Sequence, residues 1–70
     1  MISIALANPG EEVLIKRITG KDDVKHHLNE LGLNEGERIT ILQNNGGNVI
    51  LQVKNGRIAI DRQLAMRIQM

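Results

Sequence analysis

Apolar and polar positions alternate in blocks whose period changes along the chain. Residues 11–18, EEVLIKRI, read as a strand with Val13 and Ile15 on one face and Leu14, Lys16 and Ile18 on the other. Pro9-Gly10 marks a turn before it, and Thr19-Gly20 ends it. The period then lengthens. Val24, Leu28 and Leu31 recur at i, i+4 and i+7, the buried stripe of an amphipathic helix that starts near the cap-type residue Asp22.

Gly32 stands where a helix that ends in a left-handed residue takes glycine, because a side chain would clash there. Leu33 is then expected to fold back onto Leu28. NEGE, residues 34–37, is a turn in which Gly36 supplies a second permissive backbone position. The two glycines of LNELGLNEGERITIL therefore read as architecture that converts a helix into a strand, not as a ligand site.

Two hairpins follow. RITILQ (38–43) and VILQVK (49–54) flank the polar loop NNGGN, and Asn55-Gly56 is a strong hairpin turn. If Gln43 opposes Val49, Ile41 faces Leu51 and Ile39 faces Val53. With Lys54 opposite Arg57, Val53 lies beside Ile58 and Leu51 beside Ile60. Both hairpins agree on one inward face: Ile39, Ile41, Val49, Leu51, Val53, Ile58 and Ile60. The same register sets Leu42 against Ile50 on the outward side. These two either pack under the N-terminal segment (Ile4, Leu6) or the helix, or they form a partner-binding patch. DRQLA (61–65) reads as a single helical turn, and MRIQM (66–70) as a closing strand with Met66, Ile68 and Met70 on one side. The expected fold is mainly β: one domain over residues 1–70, a small antiparallel barrel of about five strands with one inserted α-helix and a short helical turn before the last strand.

Composition narrows what such a barrel can do. The chain has 70 residues, no cysteine, and an apolar content of 41% that includes no Phe, Trp or Tyr. Disulfides and thiolate metal sites are excluded. Burying an aliphatic side chain gains roughly 1.5–3 kcal/mol, while ordering a residue costs about 1.5 kcal/mol, so nearly every Ile, Leu and Val is needed inside. Aromatic-lined peptide grooves and base-stacking platforms are not available. Nine basic and eight acidic residues are interspersed, for a net charge of +1. That pattern does not predict a nucleic-acid partner, which needs a basic patch. The first dozen residues lack a basic n-region and a long apolar stretch, and no apolar run reaches the ~18 residues of a membrane span. The cytoplasm is the expected location.

NPGEEVLIKRITG, LNELGLNEGERITIL and NGRIAIDRQLAMRI together resemble the ferrous-iron transport protein A (FeoA) family over nearly the whole chain. The chain departs from that pattern at Asp61, where glycine is common, and in KHHLNEL, where arginine often precedes the leucine. The resemblance implies an SH3-like barrel with an added helix, and a small cytoplasmic accessory to a ferrous-iron permease whose cytoplasmic part is a GTPase. Similar domains end metal-dependent transcriptional repressors. In both settings the barrel acts as an interaction module.

Catalytic chemistry is not expected. Ser3, Thr19 and Thr40 have no evident His-Asp arrangement, and the chain contains neither GxSxG nor a P-loop motif. Asp22, His26 and Glu30, at i, i+4 and i+8, line the helix face opposite the apolar stripe. His26 and Glu30 would offer Fe²⁺ or another divalent ion a weak two-ligand site. A closed site needs three or four converging ligands, so a solvated face with local ion pairs is the expectation, and no cofactor is assigned. His27 is expected to pack its ring edge against the barrel. Lys54 and Arg57 add positive charge at the hairpin turn. With Leu42 and Ile50 they form the partner-binding surface expected for the permease. Two rivals remain, a small-barrel nucleic-acid binder and a metal-sensing module.

Overall fold

The computed structural model describes residues 2–54 and 56–70. A 3-10 helix at Ile4–Leu6 opens the chain. Then come β1 (Glu12–Leu14), β2 (Arg17–Ile18), α1 (Asp22–Glu30), β3 (Arg38–Asn44), β4 (Asn48–Val53), β5 (Gly56–Asp61), α2 (Arg62–Ala65) and β6 (Ile68–Gln69). A four-stranded antiparallel sheet runs β1-β3-β4-β5, and β2 pairs with β6 in a second, two-stranded sheet. The mainly β barrel with an inserted helix and a helical turn before the last strand is thus present.

The first expected strand is two. It bends after Leu14, so β1 pairs with β3 while β2 pairs with β6. The bend resets the alternation. Val13 and Ile15 are buried as expected, but Ile18, expected on the opposite face, is buried too. One short segment, residues 12–18, therefore serves both sheets.

Helix α1 has Lys21 at its N-cap, where no side chain caps the backbone. Asp22, expected as the cap, is the first helical residue instead, and Asp23 Oδ1 accepts the Val24 N–H at 2.8 Å. The C-terminal end follows expectation. Leu33 N donates to Leu28 O at 3.0 Å, Gly32 N donates to Asn29 O at 3.0 Å, and Gly32 has φ +94°. This double closure satisfies helix-end carbonyls and seats Leu33 and Leu28, both fully buried, in the core. The corner then laces onto the bend of the first strand: Gly36 N donates to Ile15 O at 2.8 Å and Ile15 N donates to Glu37 O at 2.9 Å.

Ile41 faces Leu51 as expected, but a β-bulge at Leu42 shifts the register beyond it. Gln43 opposes Ile50 and Asn44 opposes Val49, so the expected pairings Leu42–Ile50 and Gln43–Val49 are incorrect. The extra residue arises because β3 continues through Asn44 and the loop to β4 shortens to residues 45–47. Asn45 Oδ1 holds that loop by accepting the N–H groups of Gly47 and Asn48, each at 3.0 Å. In the second hairpin Val53 pairs with Gly56, Gln52 with Arg57 and Leu51 with Ile58. Lys54 therefore does not oppose Arg57: β5 is offset by two residues from the expected register, which keeps the same residues inward. The expected Asn55-Gly56 turn includes Asn55, which lies outside the described residues.

The inward face holds. Ile39, Ile41, Val49, Leu51, Val53 and Ile60 are buried, and Ile58 is half-buried against them. Ile4, Ala5 and Ala7 close one end of the core, with Ile68 and Ala65 from the C-terminal segment. Met66, expected beside Ile68, is exposed because it ends α2 and precedes β6. Asp61 caps α2 through Oδ1, which accepts the Leu64 N–H at 2.8 Å.

Candidate functional site

The outer side of the four-stranded sheet is assembled by the strand alternation that fills the core. Ile50 alternates with the buried Val49 and Leu51 and so points outward, where it is flanked by Gln43 of β3 and Ala59 of β5. Leu42 is displaced by the bulge. Both Leu42 and Ile50 are half-buried, and neither belongs to the core cluster or to the partly buried side chains packed against it. The bulge thus brings Leu42 and Ile50 to the same end of the hairpin without setting them in register.

Lys54 and Arg57 are exposed near the β4–β5 turn. Arg57 is level with Gln52 and Thr40, on a polar row that reaches Glu12 of β1. Glu12 pairs with Arg38 at 3.7 Å. The apolar pair at one end and the cations at the other therefore share a sheet but not one contact.

His26 Nε2 lies 3.4 Å from Glu30 Oε1, with side chains 77% and 66% exposed. One helical turn brings them together, in open water. Among the described residues no three His, Asp or Glu side chains converge to hold a metal ion. Asp22 does not complete such a set. His27 is exposed, so it does not pack its ring against the barrel; only Val24, Leu28 and Leu31 of the helix face inward.

Sequence reasoning missed Glu35. Its Oε2 accepts the Ile18 N–H at 3.0 Å, on the β2 edge turned away from β6. It lines a polar cleft of about 380 Å³ with Ile18, Lys25, Asn29 and Asn34. Asn44 was missed as well. Its Nδ2 donates to Ala5 O at 3.0 Å and Ala7 O at 2.8 Å, which pins the N-terminal segment to the end of β3. Neither role has a local sequence signal, since each depends on a backbone group far along the chain.

These features define a small SH3-like barrel with an inserted helix. Comparison with known proteins is more specific. Residues 2–70 match the FeoA domain model, and the chain belongs to the FeoA family. It is 38% identical over 68 residues to the provisionally named Fe(2+) transport protein A of Methanocaldococcus jannaschii, covering 97% of this chain and 83% of that protein. A crystal structure of an iron uptake regulatory protein (FeoA) superposes with TM-score 0.90 at 26% identity, covering 96% of this chain and 91% of the other. A manganese-dependent transcriptional repressor shares the fold at 13% identity and TM-score 0.86, with 94% of this chain matching 38% of the repressor. The family is one of Fe(2+) transport. No helix among the described residues is long and apolar enough to cross a membrane.

Proposed function

We propose that the protein is a non-enzymatic cytoplasmic accessory of ferrous-iron uptake that docks on the GTPase-containing cytoplasmic region of the iron permease. The observation that carries this reading is the pair Leu42 and Ile50: large, half-buried aliphatic side chains at one end of the hairpin, outside the core cluster. Aliphatic area left at a surface is favourable to bury against a partner. Lys54 and Arg57 would fix orientation at the rim, where exposed charges steer encounter more than they add affinity. The match to an Fe(2+) transport protein supplies the biological setting.

The test is an amide-resolved NMR titration of the labelled protein with the permease's cytoplasmic region. Shifts confined to residues 41–43, 49–51 and 57–59 are expected. Leu42→Asp or Ile50→Asp should remove them while the melting temperature holds. A flat titration at the highest attainable concentration would sink the docking reading, and unfolding of both variants would assign these residues to the interior.

A further inference from the structure

One edge of the larger sheet carries an unused row of hydrogen-bonding groups. β5 ends the order β1-β3-β4-β5 and pairs with β4 without a bulge, from Asn48 opposite Asp61 to Val53 opposite Gly56. The closing pair Val53–Gly56 and the bond from Arg62 N to Gly47 O at 2.9 Å fix the phase of this ladder. Gly56, Ile58 and Ile60 exchange bonds with β4, so the N–H and C=O groups of Arg57, Ala59 and Asp61 point away from the sheet. Among the described residues the three N–H groups and the C=O groups of Arg57 and Ala59 have no hydrogen-bond partner, while the Asp61 C=O accepts the first intrahelical bond of α2 and keeps one lone pair. Edges are normally blunted by proline, a bulge, extreme shortness or charged side chains; β5 has only the last, Arg57 and Asp61, and these are of opposite sign. The opposite edge, β1, is only three residues long.

We propose that this edge pairs with β5 of a second copy of the chain, antiparallel about a two-fold axis at Ala59. In that register Ala59 opposes the second copy's Ala59, Arg57 opposes its Asp61, and Ile58 opposes its Ile60. The phase is right: Arg57, Ala59 and Asp61 all become hydrogen-bonded pairs, whereas a slip of one residue would set them against groups already used in the second copy's own ladder. The charges are right. Arg57 and Asp61 are exposed on the same face, and neither has an oppositely charged side chain within 4.0 Å among the described residues. Asp61 spends Oδ1 on the Leu64 N–H, which leaves Oδ2 for a guanidinium. Directly opposed opposite charges stabilise an antiparallel pair. The axis residue is small, so the backbones approach without collision. On the inner side the half-buried Ile58 gains an aliphatic neighbour at the closer, non-hydrogen-bonded spacing. A two-fold contact of this kind is self-complementary and closes at the dimer. It shares Arg57 with the permease reading, but it is tested on the chain alone, so either reading can fail without the other.

Sedimentation velocity on the full chain tests it. A single edge contact buries little area, so the monomer–dimer midpoint should fall between about 10 μM and 1 mM. Ala59→Pro removes only an outward N–H, which an edge strand tolerates, and should raise the midpoint at least about tenfold. Arg57→Asp and Asp61→Arg should each be monomeric throughout the range, because each opposes like charges at both ends of the ladder. Their equimolar mixture should associate again, since the mixed dimer restores opposite charges at both ends. Melting temperatures verify that each variant is folded, and Arg57→Asp alone decides the matter should Asp61→Arg lose its helix cap. A wild-type chain that stays monomeric at about 1 mM, or a dimer unmoved by Ala59→Pro and Arg57→Asp, overturns the proposal.

Discussion

The Glu35 carboxylate accepts the backbone N–H of Ile18 at 3.0 Å, joining the helix-to-strand corner to the second half of a bent strand. That N–H faces away from β6, so the ladder cannot use it, and Ile18 itself is buried. Glu35→Ala should cost about 1–2 kcal/mol by leaving the donor without its partner. Glu35→Gln, which keeps an acceptor at the same reach, should recover most of the loss. Chemical denaturation of the two variants checks the difference, and equal losses would show that the hydrogen bond contributes nothing.

Gly32 and Gly36 separate backbone strain from side-chain crowding. Both have φ near the left-handed region, +94° and +90°, and an added Cβ would meet only Val53 Cγ2 at 3.7 Å in the first case and nothing within 4 Å in the second. Alanine at either position should therefore destabilise by about 1–2 kcal/mol through the backbone alone. Similar values at the two sites are expected. A much larger loss at Gly32 would mean that the Val53 contact cannot adjust.

Leu28→Ala should cost about 2–5 kcal/mol, because the side chain is fully buried beneath the helix end that Leu33 closes. In so small a domain that is a large share of the total stability. Leu64→Ala should cost less, since Leu64 is only partly buried at the margin of the core. Thermal melts that rank the two in reverse would contradict the core assignment.

Asn44→Ala removes both hydrogen bonds that hold Ala5 O and Ala7 O. A loss of about 1–3 kcal/mol is expected. Amide exchange should accelerate first around the 3-10 helix, and uniform acceleration over the whole chain would instead mean that this segment opens only with the global unfolding.

His26→Ala should leave the melting temperature nearly unchanged. The contact with Glu30 is exposed, and exposed side-chain pairs contribute little. Addition of Fe²⁺ under anaerobic conditions should move neither the His26 nor the His27 resonances at stoichiometric metal. Saturable shifts at both His26 and Glu30 would require a metal site on this face.

The elements that sequence made legible are those governed by neighbouring residues. The Leu28–Leu33 helix closure, the inward set from Ile39 to Ile60, and the helical turn after Asp61 all rest on periodicity or on one local hydrogen bond. Elsewhere the deciding partner is remote. The bend that splits β1 from β2 is imposed by β3 and β6, and the Leu42 bulge by a shorter loop than the polar run NNGGN suggests. For the candidate site, the sequence singled out the aliphatic pair Leu42 and Ile50 but placed them in direct register, which the bulge abolishes. The offset of β5 was hidden because a shift of two residues preserves every inward side chain. Glu35 and Asn44 were invisible because each is an ordinary polar residue until a distant backbone group arrives.

Ile2 and Met70 exchange backbone bonds, with Met70 N donating to Ile2 O at 2.8 Å, and Ser3 bridges Gln69. In kinetic terms this contact closes a loop nearly as long as the chain, so it is entropically late. The β3-β4-β5 meander, built from short connections, can form before it. The seam between Ile2 and Met70 is then the last part of the barrel to zip, and by the same reasoning the first to open.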